Sequence, residues 1–267
     1  EVFKNEIEFL HTMITATQEK AVPSPGKGAM IYFDGVILAH CNEAEWIKFK
    51  SENTNEAILD RIVRVNVPYC LEVSQEQRIY QKMLDESDYD YHLAPHTLEV
   101  AAMFSVLTRL KVSNKVDPMT KMKIYNGQEV VEKGYIKKVD IDDLREEVRD
   151  EGMTGISTRF IMKSIDAAVA DSDNNMVTPI SIKEALVRQV KEQVVVEDLR
   201  EKYLSFLQKE LHDEYLSMLE TEITKAFVSA YQEQAESLFN NYLDHAEAYV
   251  NGSKVKDKIT NEEMQAD

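Results

Sequence analysis

Apolar positions recur at helical spacing along most of the chain. Val2, Phe3, Ile7, Leu10 and Ile14 predict a helix over 2–14, which Pro23, Pro25, Gly26 and Gly28 break. The next stretch, GAMIYFDGVILAHCN (Gly28 to Asn42), changes character. Asp34-Gly35 lies between two apolar runs and predicts a hairpin. Val36-Ile37-Leu38-Ala39 is the continuous apolar text of a strand covered on both faces. Glu43 to Lys50 reads as a short helix, and Asn53 with Glu56 predicts a capping box opening a second one that ends near Asp60. Val63, Val65 and Val67 alternate with polar residues as a half-buried strand stopped by Pro68.

From Ser74 onward the pattern is helical. Helices are predicted over 75–86, 97–111, 140–150 and 157–170, with Tyr89, Tyr91 and Pro95 in a connection and a second hairpin about Asn126-Gly127. Between Pro179 and Gly252 there is neither Gly nor Pro, so this stretch must hold two or more long helices. Leu207, Leu211, Tyr215, Leu219, Ile223, Phe227 and Tyr231 step by four within it. Steps of four drift around a helix, which predicts a broad buried face and not a narrow coiled-coil seam. Residues 251–267 read as a frayed polar end. The fold class expected is mainly α with a small α/β portion.

Composition narrows the function classes. In 267 residues, 48 acids against 31 Lys and Arg leave a net charge of −17, with an acid excess in each of 1–75, 76–171 and 172–267. Such a surface lacks the basic face that displaces counterions from nucleic acid, and it is repelled by an anionic membrane. No apolar run approaches the ~18 residues of a membrane span. Gly at 8 and Pro at 6 are scarce, which disfavours a turn-rich β fold. Cys41 and Cys70 sit in apolar strand-like text and read as reduced thiols of a cytoplasmic protein. The chain opens without Met inside an amphipathic pattern, as expected of a piece of something longer.

Three stretches carry candidate chemistry. Asn42 lies just past the apolar strand, where open α/β sheets bind ligands, and its amide can hold a water without adding charge beside a phosphate. It equally fits as the cap of the following helix. Leu59-Asp60-Arg61, with Arg64 three residues on, places guanidinium groups at a helix end from which they can reach a neighbouring subunit's phosphate. A favourable interaction with that helix C-terminus is the structural alternative. In GISTRFIMKSIDAAVA (Gly155 to Ala170), Ser157 is the expected N-cap and Arg159 falls in the first turn. A cation there opposes the helix dipole, so either an anion comes to that helix end or Arg159 pairs with Asp140, Asp142 or Asp143.

Taken in order, these elements resemble the second half of an AAA+ ATPase module. More specifically, FDGVILAHCNEAEW (Phe33 to Trp46), NEAILDRIVRVNVPYCL (Asn55 to Leu71) and the stretch through GISTRF resemble the bacterial PrkA serine protein kinase family, from residue 1 to at least 250. The resemblance implies the C-terminal half of an AAA+ α/β core over 1–70, a helical lid with a β-hairpin over 71–171, and the helical start of the PrkA-type C-terminal domain over 172–267. It implies Asn42 as sensor 1, Arg61 as arginine finger and Arg159 as the sensor-2 arginine on an ATP phosphate, with Arg64 as a weaker nucleotide-side candidate. It further implies ATP and Mg2+ as cofactors of the whole protein, a homo-oligomeric ring, a protein substrate with a phosphorylatable serine, and a cytoplasmic role in sporulation or stress regulation. An ATP-driven remodelling or protease-like machine, and a helical partner-binding module without enzymatic activity, are the alternatives.

One departure bears on chemistry. No GxxxxGK[ST] phosphate loop occurs, and Gly26-Lys27-Gly28 lacks both its spacing and its hydroxyl residue. Nor does an apolar strand ending in an acidic pair precede Asn42. The expectation is a chain that carries phosphate sensors without the phosphate cradle, binds no ATP and is inactive alone. No metal site is expected: Pro95 between His92 and His96 spoils a helical ligand pair.

Overall fold

The computed structural model describes residues 2–5, 7–24, 28–87, 91–132, 135–136, 139–148, 150–172, 175–252, 254–256 and 263–265, and Gly26-Lys27 and Tyr89 lie outside them. The chain divides into two units, Glu1–Asn66 and Val67–Asp267. No helix among the described residues is long and apolar enough to cross a membrane.

The first unit begins with a 3-10 turn, Val2–Lys4, and helix α1, Ile7–Glu19. Strands β1 (Ala21–Pro23) and β2 (Met30–Tyr32) pair antiparallel, with Ala21 opposite Tyr32. Helices α2 (Glu43–Ser51) and α3 (Glu56–Leu59) follow. Leu10, Phe49 and Ile58 are buried against Phe3, Met13 and Ile14, and Phe3 stacks on Phe49 at 4.1 Å between ring centroids.

Several expectations for this unit are corrected. The hairpin forms one strand earlier than Asp34-Gly35 predicts, and Asp34 instead pairs with Lys20 at 3.0 Å. The capping box at Asn53 does not form. Residues Asn53–Asn55 make a 3-10 turn, and the buried Asn55 amide donates to the Phe49 carbonyl at 2.9 Å. Residues 36–39 and 63–67 belong to no β ladder. Leu38 is 94% exposed and Val63 89%. The text of both segments is strand text, but a lone strand satisfies none of its backbone groups with a neighbour and does not persist as sheet.

The second unit is built around one helix. Helix α4 (Val73–Asp85) leads through β3 (His92–Leu93) to α5 (Thr97–Arg109). In α5, Ala101, Ala102, Phe104, Val106 and Leu107 are fully buried. A helix apolar on every side is stable only when wrapped, and α5 packs against α4 and against helices later in the chain.

Helix α6 (Pro118–Tyr125) is capped by Asp117, whose carboxylate accepts from Thr120 N at 2.9 Å. Asn126-Gly127 ends this helix and does not turn a hairpin. Gly127 lies at φ +71° and donates to the Ile124 carbonyl, a left-handed helix end that glycine adopts without strain. Asn-Gly serves both kinds of turn, and the preceding helical period decided between them here. The hairpin itself comes later, β4 (Val131–Glu132) with β5 (Tyr135–Ile136).

Helices α7 (Ile141–Glu147) and α8 (Thr158–Ala170), strand β6 (Met176–Val177) and helix α9 (Pro179–Gln193) complete the core, with β6 pairing parallel to β3. Thr178 and Ser181 form a reciprocal capping box at the start of α9. Helix α10 (Glu197–Ser205) begins after the β-branched run Val194-Val195-Val196 and passes through a π turn, Phe206–Glu210, into α11 (Leu211–Asn251). Gly252 at φ +61° stops α11, and β7 (Lys254–Lys256) pairs with β8 (Glu263–Gln265).

The broad buried face predicted for 207–231 is only partly realised. Leu207 and Leu211 are fully buried, whereas Phe227 is 75% exposed. Each step of four advances about 400°, so the row rotates off the core within a few turns. Overall the fold is mainly α-helical with a small sheet portion, as the sequence predicts.

Candidate functional site

In the first unit, Asn42 is the N-cap of α2. Its Oδ1 accepts from Glu45 N at 2.8 Å, which uses one oxygen and leaves the side-chain NH2 in an exposed position. The two arginines separate by environment. Arg64 Nη2 contacts both carboxylate oxygens of Glu43, at 3.2 and 3.1 Å, and its guanidinium lies 5.3 Å from the Trp46 ring centroid. That pairing secures the 61–66 segment to α2 and occupies the Arg64 head. Arg61 is exposed, and among the described residues its Nη1 donates only to the Ala57 carbonyl of the preceding helix, α3. Of the two cations, Arg61 is the one free to reach outward.

In the second unit, Arg159 stands in the first turn of α8, after the Ser157 cap that accepts from Phe160 N. It is exposed, and no ion pair holds it among the described residues. The three acids that the sequence offered are used elsewhere: Asp140 caps α7, Asp142 faces Arg145 at 3.9 Å and Asp143 faces Lys115 at 3.6 Å. Thus a cation that no described carboxylate compensates sits at the positive end of a helix, which costs about 0.3–1 kcal/mol.

The loop that delivers this helix end is clamped at both ends by buried ion pairs. At its start, Glu151 Oε1 accepts from Lys121 Nζ at 2.6 Å and from Lys111 N at 2.8 Å. Glu151 Oε2 accepts from Tyr125 OH at 3.0 Å. Lys121 is fully buried and also donates to the Lys111 carbonyl. At the other end, Arg109 is fully buried and spends its fork on three partners: Nε to the Ile156 carbonyl at 3.0 Å, Nη1 to the Cys70 carbonyl at 2.9 Å, and Nη2 to Glu76 Oε1 at 2.6 Å.

Glu76 Oε1 also accepts from Tyr80 OH at 2.8 Å and from Thr158 Oγ1 at 3.3 Å, the residue before Arg159. Burial, and then the adjacent Glu76 charge, push the Tyr80 phenol far above its ordinary value, so it remains a donor. Tyr125 is pushed up by burial and by Glu151 in the same way. Between the clamps, Gly155 runs at φ +119° against Arg109. A Cβ there would lie 2.7 Å from Arg109 Cγ, so the loop approaches the stem of the buried arginine as only glycine can.

Sequence reasoning did not find these clamps. Arg109 and Lys121 read as ordinary helical cations, and the signals were oblique: an arginine closing an otherwise apolar helix, and two glycines in EGMTGISTRF.

His96, at φ +65°, places Nδ1 2.8 Å from Glu99 Oε2. Among the described residues no group of His, Cys, Asp and Glu could hold a metal ion. Both cysteines are free thiols. Burial raises the Cys41 thiol, with Glu45 adding to it; burial also raises Cys70, partly offset by the Glu72 backbone. Both should therefore alkylate with iodoacetamide at pH 7.5 several-fold more slowly than free glutathione, since the thiolate is the nucleophile. Faster alkylation at either position would reveal an activated thiol.

Two family models match the chain: the PrkA AAA domain over residues 1–117 and the PrkA serine protein kinase C-terminal domain over residues 119–267. A relative named ATP-dependent protease PrkA, from Bacillus subtilis (strain 168), is 42% identical over 274 residues, covering 100% of this chain and 42% of its own length. A second, named serine/threonine kinase YeaG, from Escherichia coli (strain K12), is 34% identical over 268 residues, covering 97% of this chain and 41% of its own. The chain thus spans about two fifths of the length of the curated relatives it matches. No solved structure matches it.

Proposed function

The chain belongs to the PrkA family, and from that premise we propose that it carries the phosphate-sensing residues of an ATP-dependent serine protein kinase built on an AAA+ scaffold. The observation that supports this reading most is Arg159: exposed, without an ion pair among the described residues, and held by a loop with two buried clamps. A cation so placed fits an anion brought from outside, and a terminal phosphate is the anion that an ATP-dependent enzyme supplies.

Arg61 serves a neighbouring subunit's phosphate in a ring, and Asn42 orients the attacking hydroxyl or water through its free NH2. Bound ATP, with Mg2+, supplies an activated phosphoryl group; this chain's residues bind, orient and neutralise charge. The cradle for the nucleotide's phosphates comes from polypeptide outside these 267 residues. Two exposed apolar segments with strand text, 36–39 and 63–67, agree with a sheet completed elsewhere. In this reading the chain alone is inactive.

A second reading, an ATP-driven protease, is favoured by the name of the 42% identical relative from Bacillus subtilis. Incubating the full-length protein with γ-labelled ATP and an unstructured serine-rich protein separates the two. Label on serine supports the kinase; nucleotide-dependent cleavage without label supports the protease and removes the first reading. In the same assay Arg159→Ala should weaken ATP affinity about tenfold, the value of one charge-assisted contact of roughly 1.4 kcal/mol. Unchanged affinity and turnover would remove Arg159 from the site.

A further inference from the structure

The long helix α11 carries a face that neither the core nor the proposed nucleotide chemistry uses. Leu216, Phe227, Leu238 and Tyr249 follow one another at intervals of eleven, and all are exposed. A parallel row, Val228, Phe239 and Val250, has the same interval and the same exposure. Eleven residues span three helical turns almost evenly, so rows with this period stay on one side of a straight helix. From 216 to 250 the band runs about 50 Å at 1.5 Å per residue. An exposed apolar surface of that extent marks an interaction site. Its straightness specifies the shape of the occupant: another helix lying along it.

Charge specifies the rest. Along 211–251 there are eight acids and a single lysine, Lys225. Four of the acids keep the repeat of the apolar band: Glu236 and Glu247 are eleven apart, and Glu222 and Asp244 twice eleven. These four fall on the side of the helix away from Phe227 and Leu238 and border the row of Phe239 and Val250, while Glu220, eleven before Tyr231, lies within the band. A second copy would set acid against acid in a chain whose net charge is already −17. An anionic lipid surface is repelled for the same reason.

We propose that this face of α11 docks an amphipathic helix whose apolar side matches the eleven-residue band and whose flanks are rich in Lys and Arg. The apolar rows provide the contact area, and the acids set orientation and exclude acidic helices.

The test uses this chain with two synthetic 33-residue helices that share one apolar eleven-residue repeat, one flanked by Lys and one by Glu. Anisotropy titrations should show the Lys-flanked helix binding at least about tenfold more tightly than its twin, with affinity falling between 50 and 300 mM salt. Phe227→Ser with Leu238→Ser should weaken binding about thirtyfold, as truncation of central anchors does. Tyr242→Ser, in the same band, should weaken it less, and Asn240→Ser, on the acidic side, should leave it unchanged. These side chains are exposed, so the variants should keep the parent's helical circular dichroism. Equal binding of the two peptides, no binding of either, or indifference to the band substitutions overturns the proposal. So does a dimer in sedimentation that Phe227→Ser with Leu238→Ser returns to monomer, since the occupant would then be a second copy.

Discussion

Replacing Arg61 by alanine in the full-length protein is expected to lower ATP turnover about a thousandfold or more, the range in which a trans-acting arginine stabilises the transferring phosphoryl group. Nucleotide affinity should change little, because such a group meets charge that develops only in the transition state. The fold should survive. Arg61 is exposed, and its one bond runs to the Ala57 carbonyl of a four-residue helix. Arg64 provides the comparison. Its guanidinium is committed to Glu43 and the Trp46 ring, so Arg64→Ala should cost about 1 kcal/mol or less of first-unit stability and reduce turnover far less than Arg61→Ala.

Mixing tests the trans geometry directly. Asn42→Asp keeps the cap of α2, since aspartate caps as well as asparagine, but removes the NH2 and adds charge where the attacking group is oriented. Subunits with Asn42→Asp still carry Arg61 and should restore part of the turnover of Arg61→Ala subunits when the two are mixed. Normal turnover in Arg61→Ala, or no recovery on mixing, would end the finger assignment.

The elements the sequence announced clearly are those whose backbone hydrogen bonds close within the segment itself. Helices α4, α5 and α8 fall within two residues of their predicted limits because the apolar text marks each of them, and in α8 the Ser157 cap agrees with it. Val36–Ala39 and Val63–Val67 carry equally strong text, yet their outcome depends on a neighbour that periodicity does not report. Asn126-Gly127 shows the same limit on a smaller scale, since a dipeptide that suits two turn types is decided by what precedes it. At the candidate site, types and positions were legible but environments were not. Arg61 and Arg64 look alike in LDRIVR, and only Glu43 and Trp46, some twenty residues earlier, distinguish them. The availability of Arg159 depends on where three aspartates turn. The clamps were silent because contacts such as Glu76 with Arg109, and Lys121 with Glu151, join charges 30 or more residues apart.

Arg109→Met is the substitution expected to destabilise the second unit most, by about 3–5 kcal/mol, read as a lower urea midpoint of the helical signal. The magnitude follows from what the change leaves behind. Glu76 is buried and keeps only Tyr80 and Thr158 as donors, while the Ile156 and Cys70 carbonyls each lose one. Arg109→Lys retains the charge but has no planar fork to meet Glu76, Ile156 and Cys70 together, so an intermediate loss is expected. Combining Arg109→Met with Glu76→Leu removes both charges, and the double variant should be more stable than Arg109→Met alone. The two sites should thus couple by more than about 1 kcal/mol in a double-mutant cycle. The consequence should extend to function, because Ile156 and Thr158 lead directly into Arg159. With one clamp gone and Lys121–Glu151 intact, α8 should remain helical while its first turn loses its fixed position, so Arg109→Lys should weaken ATP binding in the same direction as Arg159→Ala. If the single and double variants were equally unstable, or if Arg109→Lys left both stability and ATP affinity untouched, the guanidinium would not be what holds the loop.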